Sequence, residues 1–319
     1  MPVVNRIADF SDEMKGWRRH LHAHPELAFD CHETAAFVVE RLKEFGVDEI
    51  HESIATSGVV AIINGQGDGP TMGLRADMDA LPMDEITGLD HASTVDGKMH
   101  AWGHDGHTTM LLGAAKYLSE TRKCSGRVAL FFQPAEEDGG GGREMGRDGM
   151  MDRWNIQEVY GMHNGPGSPV GEFAIRPGAL MASADEFEIV VTGKGGHAAE
   201  PAAAVDTTLV AAQILVSLQS IVSRNVKPIE RVVLTVGTLE TDSNASNVIA
   251  HTVRMKGTVR TLDNNNRELA ERRIREVATH TALAFGATAE VSWEEGYPVT
   301  VNHDRETEFA VEAAPAVAG

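Results

Sequence analysis

DEFEIVVT, Asp185 to Thr192, decides the fold reading, because it opens a run of elements whose order is diagnostic. It reads as a strand. Val205 to Ser223 follows as a helix, and Arg231 to Leu239 and His251 to Thr261 follow as strands. Asp263 to Phe285 is a second helix, with Asp263 placed to cap its start and Gly286 to stop it, and Ala287 to Trp293 is a last strand. The order β-α-β-β-α-β is the split βαβ of ferredoxin-like domains. Residues 183–294 are therefore expected to form one domain of that type.

N-terminal to it, the pattern differs. Thr34 to Phe45 predicts an amphipathic helix, with Phe37, Val38, Leu42 and Phe45 on one side and Gly46 just past its end. Gly58 to Ile63, Thr71 to Ala76, Arg127 to Phe132 and Val159 to Met162 are short apolar runs bounded by Pro, Gly or Asn, and Thr108 to Leu118 has helical spacing. Continuous apolar strands separated by helices predict an α/β domain over residues 1–182, its sheet covered by helices on both faces. Residues 295–319, ending in AAPAVAG, are too short for a further domain and read as the start of something missing.

Composition narrows the function. With 28 Lys+Arg against 47 Asp+Glu, the formal charge is −19, which argues against a nucleic-acid or anionic-membrane surface. No apolar run approaches a membrane span, and the N-terminus has acids where a signal peptide needs an apolar stretch. Cys31 and Cys124 are the two cysteines and form no CxxC, so the expectation is a reduced, cytoplasmic protein. Fourteen histidines is a high count.

Four polar clusters fall at strand ends or loops of the first domain, where α/β proteins build sites. They are RADMDALP (Arg75 to Pro82), HAWGHDGH (His100 to His107), QPAEE (Gln133 to Glu137) and MHN (Met162 to Asn164). One such residue at a strand end is more often a cap than a ligand; four clusters on one sheet are harder to explain that way. Imidazole and carboxylate together suit Zn, Mn or Co, and Asp77, Asp79 and Asp105 could support the ligands from behind. In the adjacent pair Glu136 and Glu137, one carboxylate can bind metal while the other takes a proton from an activated water. An isolated Glu-Glu would be read as a solvated acidic loop, but Pro134 before it and the glycines after it indicate a turn that leaves both side chains free to converge.

These motifs, in this order and spacing, resemble the metallo-aminoacylase/carboxypeptidase family of amidohydrolases, peptidase family M20. That family includes hippurate hydrolases, N-acyl-amino-acid amidohydrolases and auxin-conjugate hydrolases. HLHAHPEL (His20 to Leu27), DEFEIVVTGKGGHAAEP (Asp185 to Pro201), SNVI (Ser246 to Ile249) and GTVRT (Gly257 to Thr261) fit as well, so the resemblance covers nearly the whole chain. It implies a catalytic domain with a two-metal centre, interrupted by a lid or dimerisation domain at 183–294, with 295–319 a truncated return into the catalytic domain. It implies hydrolysis of the amide of N-acyl amino acids, and a homodimer through the smaller domain. By position, it makes His104, Glu137 and His163 metal ligands and Glu136 the general base. His197 resembles the histidine that polarises the scissile carbonyl, and Asn247 and Arg260 resemble groups that hold the substrate carboxylate. Without the resemblance, His197 is a turn residue among glycines and Arg260 a solvated strand residue. His20, His22 and His24 form an HxHxH that looks like a metal clip but is read as structural.

Two departures stand out. The family has HACGHD, with a cysteine thiolate bridging both metals, where this chain has Trp102. Indole has one N–H donor and no lone pair for a metal, and its bulk is expected to occupy volume where metal or water should sit. The family also draws a further histidine from a C-terminal segment, and His303 does not match that context. Impaired activity, one metal ion instead of two, and a non-catalytic protein that binds acyl-amino acids or a partner through the same cleft are the competing expectations.

Overall fold

RVALFFQ, Arg127–Gln133, is apolar on both sides of its pleat, and such a strand is stable only with both faces covered. In the computed structural model, which describes residues 5–318, it is the central strand of a five-stranded sheet. The spatial order is Glu49–Ile54, Gly58–Asn64, Arg127–Gln133, Thr71–Asp77, Ile156–Gly161. Gly58–Asn64 runs antiparallel to both of its neighbours, while Thr71–Asp77 runs parallel to both of its own. One face buries Val59, Ala61, Leu130 and Phe132 against Trp17, Val38, Leu42, Leu111 and Leu112, from helices Ser11–Ala23, His32–Phe45 and His104–Thr121. The other face packs Val60, Ile62, Ala129 and Phe131 against Met145 and Trp154. Layers on both faces are what the sequence predicts. The strand expected at Val159–Met162 lies instead at Ile156–Gly161, so Met162 and His163 stand just beyond a strand end.

This unit reaches to Phe173 and includes the chain from Glu312; the second compact unit is Ala174–Val311 and contains the 183–294 segment. In the second unit, strands Thr288–Glu295, Asp185–Thr192, Thr252–Thr261 and Val232–Thr241 lie side by side in that order, all antiparallel. That is the ferredoxin-like arrangement. Helices Thr207–Asn225 and Asn264–Ala284 close its core, with Ile214, Leu218, Ile221 and Ile274 packed on Phe187, Ile189, Val191 and Met255. Asp206 and Asp263 cap the two helices by accepting from Leu209 and Asn266 backbone N–H, and Gly286, at φ +77°, stops the second in the left-handed region that favours glycine. Segment Asp304–Ala318 is helical.

Candidate metal centre

Asp77 and Gln133 end the parallel strands Thr71–Asp77 and Arg127–Gln133 in register, so the chain leaves the sheet twice at one place. Beyond the first strand comes Asp79; beyond the second come Pro134, Ala135, Glu136 and Glu137. Ala135 adopts φ +54°, unusual for a residue with a side chain, and its N–H donates to the Ala28 carbonyl at 3.0 Å. The turn presents two consecutive N–H groups to one carboxylate: Asp79 Oδ1 accepts from Glu136 N–H and Oδ2 from Glu137 N–H, each at 3.0 Å. Buried Asp79 thereby sets the backbone of both glutamates.

Helix His104–Thr121 begins at the same end of the sheet. Gly103 precedes it at φ +84°, and a Cβ there would come within 2.1 Å of Asn164 Nδ2, so the close approach needs glycine. His104 Nδ1 donates to the Asp79 carbonyl at 2.8 Å, and His163 Nδ1 donates to the Asn164 carbonyl at 2.7 Å. In its neutral form each ring therefore keeps its Nε2 lone pair for a ligand, the arrangement usual for metal-binding histidine. His104 Nε2 lies 3.6 Å from Glu137 Oε1.

His107, one helical turn after His104, was not singled out in the sequence, although i, i+3 spacing puts the two on one face. Ligand atoms of His104, His107 and His163 lie within 4.8 Å of one another, as do those of His104, Glu136 and Glu137. His104 is common to both groups. His107 has both nitrogens occupied: Nδ1 donates to Asp77 Oδ1 at 2.6 Å, and Nε2 accepts from Asn164 N–H at 3.0 Å. It therefore anchors the histidine loops.

The electrostatics favour a cation. Burial, and then the charge of Glu136, push Glu137 up to about 7. His104 is disfavoured as a cation by burial, but the Asp79 bond and the charges of Asp77 and Asp79 outweigh this and raise it to about 8. Burial works against ionised Asp77, but the His107 bond and Arg75 hold it well below the usual carboxylate range. Four carboxylates thus converge, with Arg75 bonded to Asp77 at 2.7 Å. Free imidazole Nε2 atoms beside carboxylates fit a Zn, Mn or Co ion.

Other expected site residues are placed elsewhere. Asp105 is buried and accepts from Arg18 at 3.2 Å and bonds to His22 Nδ1 at 2.9 Å, so it braces helix Ser11–Ala23. His22 is thus structural, as read, while His20 and His24 line a separate cavity with Phe37 and Lys98. Trp102 is 58% exposed, which differs from the expected plug of the centre. His100 is buried with neither ring nitrogen partnered, and burial lowers it to about 4. In the second unit, Gly196–His197 pairs with Val248–Ile249, and His197 and Asn247 line one cavity. His197 Nδ1 accepts from Ala199 N–H at 3.1 Å, which leaves Nε2–H as a donor. Arg260 bonds to its own sheet, donating to the Val259 carbonyl at 3.1 Å.

The sequence profile of peptidase family M20/M25/M40 matches residues 73–319. The chain belongs to the M20 family. Among relatives, an N-acetyl-L-cysteine deacetylase of Bacillus subtilis is 43% identical over 309 residues, 97% of this chain and 73% of the relative. A hippurate hydrolase of Campylobacter jejuni is 40% identical over 319 residues, 100% of this chain and 82% of the relative. Among solved structures, YXEP of Bacillus subtilis, a dinuclear metal-binding peptidase of the M20 family, superposes with a TM-score of 0.84 at 37% identity, covering 97% of this chain and 80% of that one. This M20 chain is accordingly a hydrolase of the metallo-amidohydrolase kind, with histidine and glutamate groups able to hold metal. Among the described residues no helix is long and apolar enough to cross a membrane.

Proposed function

We propose that this chain hydrolyses the amide bond of N-acyl amino acids, hippurate-like compounds among them, with residues 1–182 as catalytic domain and 183–294 as lid and dimerisation domain. One observation carries the reading: Asp79 sets Glu136 and Glu137 side by side against His104. His104, Glu137 and His163 would hold a Mn, Zn or Co ion. When bound, such an ion supplies Lewis acidity that polarises the amide carbonyl and acidifies water. Glu136 takes the proton from the attacking water and returns it to the leaving nitrogen. His197 is assigned as the Nε2–H donor to the carbonyl oxygen, and Asn247 and Arg260 as partners of the substrate carboxylate. A reduced, cytoplasmic setting is assigned from the sequence, whose two cysteines lie far apart and form no CxxC.

Trp102 favours a weaker form of this reading, because indole cannot bridge two cations as a thiolate does. We assign one ion per chain and slow turnover, and the alternative is a protein that binds acyl-amino acids without cleaving them. Metal analysis with hydrolysis of N-acyl amino acids tests this. Glu136→Gln should keep its metal and lose about 10²–10⁴ in rate, whereas Glu137→Gln should lose metal too. Metal-loaded parent protein that cleaves no N-acyl amino acid would leave the binding protein; reversed behaviour of the two variants would overturn the roles within the pair.

A further inference from the structure

Trp102 is more than a missing ligand, because its placement gives it a different task. It is 58% exposed, and its indole makes no hydrogen bond or ring contact among the described residues. One residue, left-handed Gly103, separates it from His104. The Gly103 carbonyl accepts from Asn164 Nδ2 at 3.4 Å, so the Trp102 loop is tied to the His163 loop. On that second loop Met162, 51% exposed, directly precedes His163. Large, exposed apolar residues thus adjoin both histidines of the centre along the chain.

An exposed indole offers a flat apolar face that gains free energy when a flat apolar group covers it. The chemistry of the reaction, as proposed above, says what that is. The carbonyl that must reach the centre belongs to the acyl group, so the atoms attached to it come to rest within a few bonds of the His104 and His163 side chains. The other end of the substrate, a carboxylate, calls for cationic or amide donors, and neither Trp102 nor Met162 carries one. Uncharged, flat surface next to the ligands therefore matches the acyl side, and an aromatic acyl group better than a small one.

We infer that Trp102 is a specificity-determining residue, an indole platform that selects aromatic over small acyl groups in N-acyl amino acid substrates. This rests on the amidohydrolase reading, and the experiment separates the two. The purified full chain, loaded with Mn, is assayed on N-benzoylglycine and N-acetylglycine as parent, Trp102→Phe and Trp102→Ala. The benzoyl-over-acetyl ratio of kcat/KM should fall about tenfold in Trp102→Ala and much less in Trp102→Phe, which keeps a ring. In the Glu136→Gln background, N-benzoylglycine should change tryptophan fluorescence saturably, and Trp102→Phe should abolish that change. Loss of the change in Trp102→Phe upholds the platform even where no substrate is cleaved, so failure of the hydrolase reading stays distinguishable. An unmoved ratio in Trp102→Ala, a fluorescence change that persists in Trp102→Phe, or faster turnover of both substrates with more bound metal in Trp102→Ala would each overturn it, the last by showing an obstruction.

Discussion

Two carboxylates, each almost wholly inaccessible to water, sit at the hearts of the two units, and they are satisfied in opposite ways. Asp185 in the second unit faces a guanidinium: Arg267 donates through Nε at 2.7 Å and through a second nitrogen, and Gly296 N–H adds a bond at 3.2 Å. Its charge is cancelled on the spot. Asp79 in the first unit accepts two neutral backbone N–H groups instead, and its neighbours Asp77, Glu136 and Glu137 add charge of the same sign. Hydrogen bonds satisfy the oxygens there, but Arg75 and, while protonated, His104 answer only two charges of four. A buried carboxylate with its own cation makes structure; carboxylates that outnumber their cations leave a field for a further cation to fill.

The largest effect should come from breaking the neutralised case. Asp185→Asn leaves Arg267 charged and mostly buried, with exposed Glu295 as its remaining acid partner among the described residues. We expect a loss of about 3–5 kcal/mol in unfolding free energy, the same with and without added Mn or Zn. A cost below about 1 kcal/mol by denaturant titration would place Asp185 among ordinary surface pairs.

Asp79→Asn probes the other case and should be milder without metal, about 1–3 kcal/mol, because one N–H loses its acceptor and meets an amide donor instead. Its distinguishing mark is linkage. An ion at a hundredfold excess over its Kd stabilises the parent by about 2.7 kcal/mol, and Asp79→Asn should lose most of that gain. A variant whose Tm rises with metal as much as the parent's would refute the view that Asp79 organises the centre.

The same contrast governs what could be read in advance. The four long strands and two long helices of the second unit were legible, since they keep their periods and Asp263 and Gly286 mark the ends of a helix, whereas the short pairs Gly178–Met181 with Thr300–Asn302 and Gly196–His197 with Val248–Ile249 were not. Glu49–Ile54 was missed because this edge strand is half exposed and mostly polar, with no apolar alternation to betray it. In the first unit His104, Glu136 and Glu137 were legible as chemistry-bearing residues at strand ends. The clamp by Asp79 was not, because it depends on left-handed backbone at Ala135, and alanine gives no signal for that conformation. His107 was quoted only within a motif and Asp105 was expected behind the metal ligands, yet their partners, Asp77 with Asn164 and His22 with Arg18, lie far away in sequence.

The smallest expected effect lies between the two cases, at His22. This buried ring bridges two acids, Asp105 at 2.9 Å and Glu85 at 3.3 Å, so it is a cation that exists only while protonated. The Asp105 bond raises its pKa above the ordinary histidine value, against the opposing pull of burial. Burial disfavours the charge on both acids, but the His22 bond in Asp105, and Thr87 with the Ser93 N–H in Glu85, hold them below the usual carboxylate range. A raised folded pKa means that protonation favours the folded state: the contribution is complete below about 6.5, the unfolded value, and is lost as pH rises through the folded one. Hydrogen bonds to charged groups suggest that His22→Gln costs about 1–2 kcal/mol at pH 6. The gap between parent and variant should close as pH rises past the raised folded value, because parent His22 is then as neutral as glutamine. Urea titrations across that range decide the matter: a gap that stays constant would mean His22 is held as a neutral ring, and Asp105 would then join the carboxylates that wait for a cation.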